Sequence, residues 1–440
     1  MDSIAAPGGN GGIFMSETGN IAFAGLSHLG IIYSMAAAAH GYSVIAFDER
    51  RGVAEGLAGG RFPISEPGLE DAFRQHHERI EYTADPSLLS DCALIFITLD
   101  VSTDDANNSD LAPLGALIDR VSAVAAPQTA LVLMSQVPPG FCRRLAGSLR
   151  KDLCLYYQVE TLIFGNAIER AILPERYMVG ASEVHRGLPE LYRRFLDAFQ
   201  CPVLLMRYES AELCKIAINC FLVSSVSTTN MLAEICERIH ADWSEIAPAL
   251  RLDRRIGQYA YLSPGLGIAG GNLERDLATV ENLAASHRTD GRIVTAWKEN
   301  SSHRKEWVQR LLRERGLLNG QPNCQVTVWG VAYKAETHST KNSPALALIR
   351  DLGECGLRIY DPAVTLNGGD FPLAQVCASA AEAAEGSDVL VVMTPWKQFR
   401  EVPLDAIKGR MRGRVIVDPF GALDAAGCRK LGFDYYRMGV

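Results

Sequence analysis

Gly25-Leu-Ser-His-Leu-Gly30 follows the apolar run Asn20-Ile-Ala-Phe-Ala24 and leads into an alanine-rich stretch, IIYSMAAAAHG. Strand, glycine turn and helix in that order suit a pyrophosphate, because the first helical amides and the helix dipole point at the bound anion. A second β-type run, residues 42–47, ends at Asp48, 18 residues after Gly30. A carboxylate there can hold adenosine ribose hydroxyls, and its charge favours NAD over a cofactor with a 2′-phosphate. Arg50 and Arg51 beside it weaken that preference. Gly25, Ser27, Leu29, Gly30 and Asp48 are therefore the candidate cofactor residues. Ser27 stands where a glycine would let the backbone approach the phosphates most closely.

Other residues carry weaker signals. Lys215 and Asn219 lie one helical turn apart and share a face, although a lone lysine on such a helix ordinarily snorkels to solvent. Asp276 comes after a glycine-rich stretch, where an acidic side chain can serve a helix N-terminus. Glu160 follows an apolar strand, a usual place for a surface carboxylate. Lys334 follows a strand end in a second α/β unit, and such ends are where open sheets bind ligands. His28, inside the glycine turn, reads as a solvent-facing loop residue rather than a base.

These residues need elements to hold them. Apolar runs at 93–99 and 130–137 continue the first unit, and helical stretches separate its strands, which implies a parallel sheet. From about Ser210 to Arg251 the apolar residues recur at helical spacing, predicting a long connecting helix and a small helical domain. A glycine-rich stretch, 263–271, interrupts it, and helix resumes to about Arg315. Strands at 325–330, 357–362, 389–396 and 415–421 form the second unit.

At 440 residues the chain has room for about three domains. A formal net charge of −8 argues against a general nucleic-acid binder. No stretch approaches the roughly 18 consecutive apolar residues of a membrane span, and the small, glycine-rich start reads as a flexible tail, not an export signal. Eleven scattered cysteines without a CxxC pair indicate neither a disulfide framework nor a metal site, and point to a reducing, cytoplasmic setting.

Short segments in register along residues 20–420 resemble the UDP-glucose/GDP-mannose dehydrogenase family. Glu66-Pro-Gly-Leu69 looks like its EPGL, Ser135-Gln-Val-Pro-Pro-Gly140 like STVPxG, and 159–167 with 174–180 like PEFLREGxA…PDRIVIG. Ala211 to Asn219 is similar to AELxKxxxN, and Asp253 to Gly257 to DxRIG. Gly330 to Lys334 with Thr337 resembles GxxFKxxT, and Thr394-Pro-Trp396 with Phe399 resembles TxWxxF.

The resemblance implies two Rossmann-like doubly wound α/β domains joined by a long helix and a helical middle domain. The expected boundaries are a tail at 1–17, a cofactor domain at 18–205, a dimerising helical domain at 206–316 and a nucleotide-sugar domain at 317–440. It implies an NAD-dependent oxidation of a sugar C6 alcohol to a carboxylate in two hydride transfers. Lys215, Asp276 and Asn219 would serve the first transfer and Glu160 the later hydrolysis. Lys334, Gly267, Lys341 and Arg255 would hold the nucleotide-sugar, Arg255 from a neighbouring subunit of a homodimer or higher oligomer.

The sequence departs from that pattern where the chemistry is most demanding. The segment GYGGSCFPKD reads Gly267-Ile-Ala-Gly-Gly-Asn-Leu-Glu-Arg-Asp276, so Asn272 takes the nucleophilic cysteine's place. An amide cannot form a thiohemiacetal, and no cysteine lies between Cys236 and Cys324. Gln136 replaces a site threonine and is placed among the cofactor contacts, Arg275 replaces a lysine, and Asp100-Val-Ser102 replaces the family's TP turn. Lys341 stands for an arginine and loses its planar fork. Two functions compete: an enzyme limited to one oxidation, or to oxidation and re-reduction, and a catalytically degraded binding or partner subunit. Turnover of a nucleotide-sugar panel with NAD separates them.

Overall fold

In the computed structural model, residues 20–104, 109–317, 324–352, 355–366 and 374–440 are described; the expected tail at 1–17 lies outside them. The first sheet contains β1 (Asn20–Ala24), β2 (Val44–Phe47), β3 (Ile80–Thr83), β4 (Cys92–Ile97), β5 (Ala130–Leu133), β6 (Cys154–Gln158), β7 (Tyr177–Ala181) and β8 (Val203–Arg207). Their spatial order is β3-β2-β1-β4-β5-β6-β7-β8. β2 and β5 are buried along their whole length, as strands of a sheet covered on both faces must be. That is why they read as unbroken apolar runs rather than alternating ones. All pairings are parallel except β6 with β7, an antiparallel step that the expectation of a purely parallel sheet did not include. The apolar runs also outlast the strands: residues 134–137 and 98–99 already belong to the turns at the strand ends.

The second sheet holds β9 (Gln325–Trp329), β10 (Gly356–Tyr360), β11 (Ala374–Val376), β12 (Val389–Val392), β13 (Val415–Val417) and β14 (Asp434–Tyr436). Its order is β11-β10-β9-β12-β13-β14, and every pairing is parallel. In both sheets the first strand lies where the strand order reverses, which is the position at which open sheets bind ligands.

Between the sheets in sequence run the helices Tyr208–Ile239, Trp243–Leu252, Asn272–His287, Arg292–Lys305 and Trp307–Glu314. Asp242 starts the second of them, its carboxylate accepting from the Ser244 amide. Tyr208–Ile239 is long and apolar enough, by length and composition, to cross a membrane. Its Val223, however, packs with Ile268, Leu277 and Val294 in a protein core. The chain divides into two compact units, residues 1–102 with 111–213, and residues 103–110 with 214–440. The central helices thus group with the C-terminal sheet.

Candidate functional site

In the first unit the turn after β1 is held from three sides. Gly25 has φ +95, in the left-handed region that glycine adopts without strain, and its amide donates to Phe47 O at 2.9 Å. A Cβ on Gly30 would collide with the Gly25 carbonyl, so the helix His28–Ala39 packs onto the turn only with glycine there. Leu29 is buried in the core and offers a ligand only its backbone. The Leu26 amide donates to Asp48 Oδ2 at 3.0 Å.

Asp48 is buried and already engaged. Arg50 donates to it through its amide (3.0 Å), Nε (2.8 Å) and Nη2 (2.9 Å). Burial pushes the Asp48 carboxyl pKa up, but the bonds from Arg50 and Leu26 outweigh it and hold it below the usual range.

Ser27 precedes the helix without capping it. Its hydroxyl donates to Thr98 O at 2.8 Å and accepts from the Asp100 amide at 2.9 Å. Asp100 in turn accepts the His28 amide on its Oδ2 at 3.0 Å.

The expectation for His28 fails. Rather than facing solvent it is buried, its Nε2 lies 2.8 Å from Glu66 Oε1, and its ring rests against Phe164 at 4.5 Å. Glu66 Oε2 also accepts the Gly165 amide at 2.9 Å. The EPGL-like glutamate therefore ties the glycine turn to the segment after β6.

Two further positions complete the first unit. Gln136 is half-buried on the turn after β5, and Glu160 accepts the Leu162 amide at 2.9 Å. Glu212, fully buried, was not singled out by sequence reasoning. It accepts from the Gly140 amide at 2.6 Å and the Cys142 amide at 2.7 Å, closing the start of the helix Phe141–Ser148. That helix opens on Gly140 with no side chain to cap it, which was the available signal that a remote acceptor was needed.

The second unit gathers most of the expected catalytic residues. Asp276 is buried, and Asn219 Nδ2 donates to its Oδ2. Arg275 Nε lies 3.5 Å from its Oδ1. Burial raises the Asp276 carboxyl pKa, against the pull of Arg275, Asn219 and the half-buried Lys215. A helix N-terminal role is excluded, because Asp276 lies inside the helix Asn272–His287. Asn272 is that helix's first residue and is exposed. The thiol of half-buried Cys220 is pushed up by burial and by Asp276, so it offers no substitute thiolate.

The glycine-rich loop is fastened to the segment after β9. Gly267 (φ +76) lies against Ser301, whose hydroxyl accepts the Ile268 amide at 2.7 Å. The Gly270 amide donates to Lys341 O at 3.1 Å. Lys341 Nζ donates to Thr103 Oγ1. Lys334 is half-buried, its Nζ 5.9 Å from the Tyr333 ring centre. Arg255 is exposed and held by Asp253 of its own chain, with Nε to Oδ1 at 3.0 Å and Nη2 to Oδ2 at 2.6 Å.

Asp361, after β10, is a further residue that sequence reading passed over. Its Oδ2 accepts the Val331 amide at 2.7 Å and the Ala332 amide at 3.0 Å, while its Oδ1 accepts from Ala363 and Val364. The signal was the same as for Asp48: an aspartate ending the strand beside the first strand of a sheet.

Three domain models of one family match the chain: the NAD binding domain of the UDP-glucose/GDP-mannose dehydrogenase family over residues 19–196, its central domain over 209–302 and its UDP binding domain over 327–425. The UDP-glucose 6-dehydrogenase of Pseudomonas aeruginosa is 29% identical, with 94% of this chain and 96% of that protein aligned. The Bacillus subtilis UDP-glucose 6-dehydrogenase TuaD is 27% identical, over 95% and 93%. In fold the chain is similar to a UDP-D-ManNAc dehydrogenase from Pyrococcus horikoshii, with a TM-score of 0.82 at 21% identity over 96% and 99% of the two chains. It is also similar to a UDP-glucose dehydrogenase from Pyrobaculum islandicum, with a TM-score of 0.80 at 24% identity over 92% and 95%. The first unit carries an NAD-binding domain, and NAD is the cofactor it indicates. Gly25 and Gly30 fit that cofactor's turn; the Asp48 carboxylate expected at its ribose is already held by Arg50, and the Asp100 carboxylate on the His28 amide is at odds with its pyrophosphate.

Proposed function

We propose, because the chain belongs to the UDP-glucose/GDP-mannose dehydrogenase family, that it oxidises a nucleotide-sugar alcohol with NAD and stops after one hydride transfer. The observation that carries this reading is Asn272 at the start of its helix, where the family pattern has its nucleophilic cysteine. NAD, when bound, supplies the hydride acceptor. Lys215 places a positive charge where alkoxide character develops on the substrate oxygen. Asp276, with its raised pKa, is suited to take the alcohol proton, and Asn219 fixes its orientation. The products of such a step are an aldehyde, NADH and a proton. Without a thiol at position 272 no covalent intermediate can carry the aldehyde on to the acid, so Glu160 has no thioester to hydrolyse.

A second reading, a degraded binding or partner subunit, draws support from the engagement of Asp48 by Arg50 and of the His28 amide by Asp100. The deciding experiment incubates pure protein with NAD and UDP-, GDP-, ADP- and CDP-sugars, following nicotinamide absorbance and product mass. One NADH per sugar and no uronic acid is expected. Two NADH with a carboxylate product would overturn the single-oxidation reading, and no NADH with any sugar would favour the binding subunit.

We further propose a homo-oligomer, most simply a dimer, assembled through the central helices and working in the reducing cytosol. Phe221 (80% exposed), Leu252 (84%) and Tyr259 (86%) are large apolar side chains that a partner would cover. Sedimentation showing a strict monomer at micromolar concentration would refute the assembly.

A further inference from the structure

The amide of His28 is the first in the helix that follows the glycine turn, and the dinucleotide pyrophosphate of such a domain belongs at these amides. In this chain that amide is taken by a carboxylate at 3.0 Å, from Asp100. Ser27 presents it: the serine hydroxyl, bonded to Thr98 O, accepts the Asp100 amide and so pins the turn after β4 against the turn after β1. Ser27 and Asp100 are two of the positions at which the sequence departs from the family pattern, and the structure joins them by a hydrogen bond. No acidic residue of the helix itself lies in its first turn, so Asp100 supplies an anion there from another strand.

We propose that Asp100 is a built-in competitor of the cofactor pyrophosphate, holding the His28 amide until the dinucleotide displaces it. Binding then requires the Asp100 carboxylate to leave the amide or to remain beside a like charge, and either course weakens affinity. Crowding by protein pushes the Asp100 carboxyl pKa up and Glu160 adds to the rise, while the His28 charge and the bonds from Ser27 and the His28 amide oppose it. Asp100 keeps an exposed side, so solvent screens part of that effect and leaves it room to swing away. The inference concerns cofactor affinity alone and stands whether the enzyme performs one oxidation, two or none.

The test is calorimetric binding of NAD, ADP-ribose and adenosine to wild type, Asp100→Asn and Asp100→Thr, with melting curves to confirm folding. NAD and ADP-ribose should each bind roughly tenfold tighter to both variants, the scale on which one charge at a helix N-terminus acts, while adenosine, which has no phosphate, should not change. Ser27→Gly should tighten NAD by less, and Ser27→Gly with Asp100→Thr should gain less than the two single effects combined, since both act through one contact. Unchanged or weaker NAD binding in both Asp100 variants overturns the proposal. So does equal tightening of adenosine, which would place the effect away from the pyrophosphate. Failure of wild type and variants alike to bind NAD also overturns it, because removing the internal anion should have uncovered the site.

Discussion

In the first unit β1 ends at Ala24 and its helix begins at His28; in the second, β9 ends at Trp329 and the next helix waits until Pro344. Up to the strand ends the two are built alike. A glycine follows each first strand, Gly25 and Gly330, and an aspartate from the neighbouring strand accepts the next amide, Asp48 from Leu26 and Asp361 from Val331. Beyond that they part. The first unit brings a helix N-terminus straight to the turn and leaves Ser27 off its amides. The second closes its helix with Ser343, whose hydroxyl accepts the Ala345 amide, and spends residues 330–343 on a segment carrying Lys334 and Lys341. The two strand ends thus differ in what they offer an anion, backbone amides in the first and side-chain cations in the second. The first choice is sensitive to a stray carboxylate, and the second to loss of a lysine.

The largest effect expected from this contrast is at Lys334. Lys334→Ala should weaken nucleotide-sugar binding about a hundredfold, the scale for a charge-assisted phosphate contact, and leave NAD affinity within about twofold. Calorimetry with the two ligands separately measures both, and equal losses would break the division of labour. A smaller shift is expected at Asp48. Asp48→Ala should weaken NAD roughly tenfold and spare the nucleotide-sugar, since the buried carboxylate is already shared with Arg50. The same change frees the Arg50 guanidinium, so the ratio of NADP to NAD affinity should rise. An unchanged ratio would show that Arg50 does not face the ribose.

Much of this was legible in the sequence because it is local. Unbroken apolar runs marked the buried strands, the pair Gly25 and Gly30 marked the turn, and one-turn spacing placed Asn219 with Lys215. What escaped depends on residues far apart in the chain. His28 is buried only because Glu66 and Phe164 converge on it, and no spacing within the turn records that. Glu212 acts on amides about 70 residues away, and Asp100 on one 72 residues away. β7 runs antiparallel because of the path taken after β6, while its own residues look like any buried strand.

The two helix starts should also differ in stability. Ser343→Ala removes a cap and should cost about 1 kcal/mol, or roughly 2–4 °C in Tm. Ser27→Ala removes no cap, because Ser27 bonds across to Thr98 and Asp100 instead. Its stability loss should be the smaller of the two, with its main effect on cofactor binding. Equal melting shifts would mean that the cross-strand bonds matter as much as a cap does.

The smallest effects should distinguish the buried carboxylates of the two units by sign. Asp48 has a folded pKa below the ordinary value of 3.8, so it stabilises the fold above that value and loses this contribution as pH falls through the folded pKa. Asp276 has a folded pKa above 3.8, chiefly from burial, so its stabilising influence is present below 3.8 and is lost as pH rises through the folded value. At about pH 7 both are ionised when unfolded, but only Asp48 gains by folding in that form. Asp48→Asn should therefore lower Tm near neutrality, and Asp276→Asn should raise it or leave it unharmed while abolishing hydride transfer. Both differences from wild type should shrink as the pH is taken below 3.8. Melting curves of the three proteins across that range measure the contrast. A loss of Tm in Asp276→Asn that persists at neutral pH would mean that its ion pair with Arg275 and its bond from Asn219 outweigh the cost of burying the charge, and that Asp276 supports the fold rather than being held in place at the fold's expense.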